Sequence, residues 1–170
     1  MTDQIDSINK AVADMTMKTG KYLTFSLESE EYGIGILKVK EIIGMLPITS
    51  VPRTPEFVKG VINLRGKVIP VIDLRLKFGM TSISYNERTC IIVVEINASG
   101  ATVLIGIVVD TVSEVLNIKE DDIEETPAFG TKLDTRYILG MAKQERGVKI
   151  LLNIDKVLSS DEMAAVQHAS

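Results

Sequence analysis

The chain reads as a mainly β protein of two small barrels related by internal duplication, with short helical turns and a short C-terminal helix. Three observations predict this. Strand-length runs of β-branched residues recur at near-regular spacing, Gly- and Asn-containing turns separate them, and the residue patterns of the first half return in the same order in the second.

Residues 1–18 mix Asp, Lys and Ser with Ile5, Ile8, Val12 and Met15 at helical spacing, which predicts a flexible, weakly helical tail. Tyr22–Leu27 alternates as a first strand, and Glu28-Ser-Glu-Glu31 turns the chain into Tyr32–Ile36. Lys38–Ile43 fits either a helical turn or a short strand, ended by Gly44. Pro47, Pro52 and Pro55 then hold the chain extended, because each removes a donor and restrains the residue before it.

The centre of the chain is Gly60–Phe78. Val61–Leu64 and Val68–Ile72 are β-branched strand runs, and between them Gly66 supplies the positive φ of a tight reversal with Arg65 at its tip. A short helical turn follows. A side chain displayed on a turn between two strands is well placed for binding, which makes Arg65 the first candidate site residue; a solvated turn arginine is the plain alternative. After a polar connector, Gly79–Arg88, the pairs Cys90–Ile96 with Thr102–Val109 and Tyr137–Met141 with Val148–Ile154 read as further hairpins, separated by Thr111–Leu116 and an acidic loop. Ser159-Ser-Asp-Glu162 has capping-box spacing ahead of Met163–Val166, so the chain ends in a short helix. The expected organisation is a tail over 1–18, a body over 19–158 and a helix and tail over 159–170; the body divides into barrels at about 19–82 and 87–158.

The duplication is carried by four ordered matches. Ile34-Gly-Ile36 pairs with Ile105-Gly-Ile107, and Val39-Lys-Glu-Ile-Ile43 with Val112-Ser-Glu-Val-Leu116. Gly60 with Arg65-Gly66 pairs with Gly140 and Arg146-Gly147, and Ile69–Asp73 with Ile150–Asp155. The copies differ at the second hairpin, where Pro70 and Asn63-Leu64 have no counterpart; proline there assigns its strand to an edge or a bulge.

At 170 residues, an apolar share of 45% and an aromatic share of 5% give a Val/Ile/Leu core. No apolar run reaches the roughly 18–20 residues of a membrane helix, and the first residues lack a signal-peptide pattern, which predicts a cytoplasmic protein. Cys90 sits within a strand run and reads as buried. The net charge of −4 opposes general nucleic-acid binding. Charge is nonetheless uneven: Arg53, Lys59, Arg65, Lys67, Arg75 and Lys77 crowd residues 51–80, and seven acids crowd residues 110–126. Opposed faces suit docking to complementary protein surfaces, and a nucleic-acid-binding β-barrel is the alternative on the basic stretch. Catalytic constellations are missing. The only histidine, His168, lies near the C-terminus, no metal-ligand spacing or phosphate loop occurs, and Asp73 and Asp110 sit at strand ends where they bond turn amides.

Val51-Pro-Arg-Thr-Pro55, Gly60–Gly66, Pro70-Val-Ile-Asp-Leu74 and Gly106–Val115 closely resemble the CheW-like family of bacterial chemotaxis coupling proteins, over residues 22–157. The resemblance implies two five-stranded SH3-like or OB-like barrels around a shared apolar seam, with strands exchanged between barrels in some members. It implies a non-enzymatic adaptor, with no cofactor or metal, that joins the cytoplasmic tip of methyl-accepting chemoreceptors to the regulatory domain of the histidine kinase CheA. Such a protein is peripheral to the inner membrane through receptor arrays, with no insertion of its own. By resemblance, Val39, Glu41, Arg65, Val112 and Val115 take the receptor, Ile36 and Ile43 the kinase, and Phe129 an array ring contact. Read from the residues alone, the valines fit a buried core as well as an open groove, and the same holds for Ile36, Ile43 and Phe129.

Overall fold

The structure, a computed structural model, describes residues 4–6, 8–9, 20–98, 100–125, 136–145 and 147–169. Its first strands are β1 (Lys21–Leu27), β2 (Glu30–Gly35), β3 (Val39–Gly44), β4 (Val58–Leu64) and β5 (Lys67–Asp73). They continue as β6 (Cys90–Ala98), β7 (Ala101–Val109), β8 (Thr111–Asn117), β9 (Ile123–Glu124), β10 (Ile138–Gln144) and β11 (Gly147–Leu152). Helix α1 (Leu74–Lys77) follows β5, and α2 (Ser160–Ala169) ends the described chain. The ambiguous stretch Lys38–Ile43 is strand from Val39 onward, and Lys38 closes a single 3₁₀ turn, Ile36–Lys38, that takes Ile36 out of the preceding strand.

The strands form two sheets, one of six strands ordered β8-β1-β2-β11-β10-β9 and one of five ordered β3-β6-β7-β5-β4. Each sheet draws strands from both halves of the sequence, so a division of the chain at the 83–86 connector cuts through both. The two orders are the same under the exchange of β3 for β8, β6 for β1, β7 for β2, β5 for β11 and β4 for β10. In each sheet one parallel pair, β5–β7 or β11–β2, joins the two contributions.

Paired registers refine the repeat. Val71 lies opposite Gly106 and Gly60, while Leu151 lies opposite Gly33 and Gly140. Gly106 therefore corresponds to Gly33, not to Gly35 as the motif match had it. Asp73 likewise corresponds to Asn153 rather than Asp155. Each donates its backbone N–H across the sheet, to Phe57 or Tyr137, at 2.8 Å, and each caps the following turn with its side chain. Both errors are slips of two, which leave every side chain on its original face and so leave the apolar pattern intact. The hairpin tips correct by one residue. Leu64 pairs with Lys67 and Gln144 with Gly147, so the place of Arg65 in the second sheet is held by Glu145.

Each sheet is curled by the segment between its edges. Beyond β3 the chain brings Thr49 to β4, where Thr49 and Val61 exchange N–H···O bonds of 2.9 Å; beyond β8 it brings β9 to β10. Gly60 and Gly140 sit where these segments cross. A Cβ on Gly60 would lie 2.0 Å from the Thr49 carbonyl oxygen, and one on Gly140 2.8 Å from that of Glu124. Both glycines stand at register shifts, where the strand bends.

The main core fills the seam between the sheets. Leu23, Phe25, Leu27 and Ile34 meet Ile42, Ile72, Ile92, Val94, Ile105 and Ile107 there. Ile62, Ile69, Val71, Ile91, Val93 and Val108 turn the other way, into the curl of the five-stranded sheet. Strand β6 is thus apolar on both faces over its first half, which is why Cys90–Val94 reads as an unbroken apolar run without alternation. Met163 and Val166 of α2 complete the seam. Its N-terminus is a capping box: Ser159 N donates to Glu162 Oε1 at 2.8 Å, and Glu162 N donates to Ser159 Oγ at 3.1 Å.

Candidate interaction surface

Arg65 and Gly66 form the two-residue loop of the β4–β5 hairpin, both at positive φ (51° and 86°), the signature of a type I′ turn. The Asn63 side chain steadies the loop by accepting the Gly66 N–H at 2.8 Å. An arginine in the left-handed region costs about 1 kcal/mol that a glycine would not. The conformation aims the guanidinium at β3, where Nη1 and Nη2 donate to the two carboxylate oxygens of Glu41. That hydrogen bond, with the charge of Glu41, raises the Arg65 pKa. The guanidinium remains 70% exposed and Glu41 26% exposed, so the pair is presented at the surface.

The other receptor-assigned residues divide by burial. Val39 and Val112 are 4% and 5% exposed and belong to the seam core, while Val115 is half-buried against it. The two valines are repeat equivalents, opposite Val94 and Phe25 at matching bulges. They bring the edges of both sheets to one seam but offer little surface themselves. Ile36 is fully buried, and Ile43 packs half-buried beneath the five-stranded sheet. The exposed apolar side chain in that stretch is Leu37, at 57%, which sequence reading passed over; the 3₁₀ turn sends Ile36 inward and Leu37 out. Phe129 lies outside the described residues.

Residues from the chain's beginning lie across the β3 and β8 edges. Asn9 uses both ends of its amide on Ile42, donating Nδ2–H to the carbonyl at 2.9 Å and accepting the N–H at 2.8 Å. Gln4 Nε2 donates to the Val112 carbonyl at 3.4 Å. Ile8 is buried in the seam core and Ile5 packs against it. Val112 and Ile8 also line a cleft of about 460 Å³ with Gln4, Ile5, Glu87, Arg88 and Cys90.

A second polar group joins the sheets and was not singled out from sequence. Arg75, 8% exposed, donates from Nη1 to Asp110 Oδ2 at 2.7 Å, from Nη2 to Glu28 Oε1 at 3.3 Å and from Nε to the Thr81 carbonyl at 3.0 Å. Asp110 also accepts the Glu28 N–H at 2.8 Å. Buried Asp73 accepts from Arg75 N at 2.9 Å and from the Tyr85 hydroxyl at 2.8 Å. Burial, then that bond, pushes the Tyr85 phenol well above its ordinary pKa. Both aspartates bond turn amides, and Asp110 shares the Arg75 guanidinium with Glu28.

Three cations of the basic stretch, Arg65, Arg75 and Lys77, are paired with acids within the fold. Arg65 faces Glu41, Arg75 faces Asp110 and Glu28, and Lys77 reaches both oxygens of Glu162 at 2.7 Å while lying 5.1 Å from the Phe57 ring centroid. Phe25, Tyr32, Phe78 and Tyr137 stack on one another, with centroids 5.1–5.9 Å apart, instead of forming an outer platform for bases. A nucleic-acid-binding barrel stacks bases on open rings beside its cations, and these four rings are taken up with one another. Among the described residues no three Cys, His or acidic groups converge as a metal site.

Two equivalent sheets packed on a shared apolar core, with an exposed ion pair at a hairpin tip, define a β scaffold. Residues 21–162 match the family model described as the CheW-like domain. The chemotaxis protein CheW of Klebsiella aerogenes is 44% identical over 150 residues, covering 88% of each chain. That of Helicobacter pylori is 37% identical over 142 residues, covering 83% of this chain and 82% of its own. The crystal structure of the scaffolding protein TtCheW from Thermoanaerobacter tengcongensis superposes with a TM-score of 0.74 at 39% identity, over 85% of this chain and 97% of that one. The chain belongs to the CheW-like family.

Proposed function

We propose that this protein is a non-enzymatic adaptor of bacterial chemotaxis, coupling the cytoplasmic tips of transmembrane chemoreceptors to the regulatory domain of the kinase CheA. The single observation that carries the receptor half is the exposed Glu41–Arg65 pair at the tip of the β4–β5 hairpin, within a family whose members are named chemotaxis and scaffolding proteins. A receptor hairpin is helical. Its apolar residues would pack at Val115 and the seam edges, and Arg65 would exchange Glu41 for a receptor carboxylate or carbonyl. Val39 and Val112 would act from beneath, setting the spacing of β3 and β8. On the kinase side, Leu37 would make the contact that Ile36 supports from the core, with Ile43 behind it; Phe129 keeps its proposed role in the array ring.

No described helix is long and apolar enough to cross a membrane, and the adaptor would reach the inner membrane only through receptors in the cytoplasm. Titration calorimetry against the CheA regulatory domain tests the kinase half, with micromolar binding expected. Kinase control in reconstituted receptor assemblies tests the receptor half. Full control by an Arg65→Ala protein would remove Arg65 from the proposed site.

A further inference from the structure

We propose that the segment bearing Gln4, Ile5, Ile8 and Asn9 is a built-in cover of the seam, which a helical partner must displace before it docks; the partner's identity rests on the receptor reading above. Residues 4–6 and 8–9 are helical, and Ile5 and Ile8 stand one turn apart, so both point to the same side, into the seam core. The cover binds both rims. Asn9 satisfies the outward N–H and C=O of Ile42 on the edge strand β3, and Gln4 reaches the Val112 carbonyl on the edge strand β8.

An edge strand left open is a template for foreign chains, and an amide side chain spanning one residue's backbone blocks that pairing. The cover uses the chemistry a docking helix would use: apolar residues at i, i+3 over the seam, flanked by polar groups at the rims. The near-complete burial of Val39 and Val112 describes this covered state. The family match begins at residue 21, so the cover lies outside the matched domain.

Displacement has a thermodynamic consequence. If the open form is a minor fraction of the free protein, the apparent affinity for the partner is reduced by that fraction, and loosening the cover restores it. The test uses the whole chain as wild type, Ile8→Asp and Asn9→Ala, with two readouts: amide exchange at Ile42, and affinity for a soluble fragment of a chemoreceptor's helical tip. Exchange at Ile42 is expected to rise at least tenfold in Ile8→Asp, although the change is not at its bonding partner, and both variants should bind the fragment at least threefold more tightly. Asn9→Ala removes no core side chain, so it keeps the test valid if Ile8→Asp perturbs the fold.

Unchanged exchange in Ile8→Asp overturns the cover. Faster exchange with equal or weaker fragment binding than wild type overturns the competition. Faster exchange with no fragment binding by any of the three proteins upholds the cover and refutes the receptor reading instead.

Discussion

Glu41 and Arg65 belong to strands at opposite ends of the five-stranded order, β3 and the β4–β5 hairpin, yet their side chains form a forked ion pair. The contact exists because the sheet curls until its ends meet, with Thr49 bridging from the β3 side to Val61. Curling converts a distance of four strands into one side-chain contact. It also puts the left-handed turn of Arg65 beside Glu41 on β3.

Arg65→Gly separates function from folding. It relieves about 1 kcal/mol of left-handed strain and loses an ion pair so exposed that solvent screening leaves it little weight in stability. The urea midpoint should therefore stay level or rise slightly while receptor-dependent kinase control is lost. A loss of stability beyond about 1 kcal/mol would show that the pair is structural.

Gly60→Ala and Gly140→Ala should both destabilise, the first more severely. A Cβ at position 60 meets backbone at 2.0 Å from a residue at φ +141°, and the nearest backbone contact at position 140 is 2.8 Å. Overpacking against backbone costs about 1–3 kcal/mol, so losses of about 3 and about 2 kcal/mol are expected by chemical denaturation. A tolerated Gly60→Ala would contradict the curl at Thr49.

Arg75→Met keeps the aliphatic stem and removes the charge from a mostly buried network, leaving Asp110 with one fewer donor. Breaking such a pair costs about 3 kcal/mol, and differential scanning calorimetry would read it as a lower Tm. Arg75→Lys, which cannot reproduce the three-way fork, should fall between the two.

Glu162 gives the fold a pH dependence. Burial alone would raise its pKa, but the Lys77 and Ser159 hydrogen bonds and the Lys77 charge together hold it below the ordinary 4.5. A carboxylate depressed on folding contributes stability above its unfolded pKa and loses it as pH falls through the folded value. Glu162→Gln should therefore be less stable than wild type by about 1 kcal/mol at pH 7, with the gap narrowing below pH 4.5. A gap that is constant from pH 7 to acid would exclude the charge as its source.

The residues that close turns and start helices were legible because their partners are near in sequence. Gly66 and Asn63 act within four residues, Asp73 caps the next turn, and Ser159 and Glu162 bond each other. The candidate site was legible only in part. Arg65 was found as a displayed turn residue, but Leu37 was hidden by a 3₁₀ turn that breaks the strand alternation, and of the two readings open for Ile36 the structure gives the buried one. Arg75 looked like one cation in a basic run because its acids, Glu28 and Asp110, are distant in sequence.

By itself the sequence determined a β protein of two equivalent halves, the central hairpin with its arginine tip, and the capped C-terminal helix, since periodicity and capping are local properties of the chain. The tertiary structure alone decided which strands share a sheet, which residues are true repeat partners, and that Val39, Val112 and Ile8 are buried in one core. The physical reason is the two-residue period of a strand. A slip of two, or an exchange of equivalent strands, leaves the apolar pattern unchanged, so only long-range pairing and packing distinguish the alternatives.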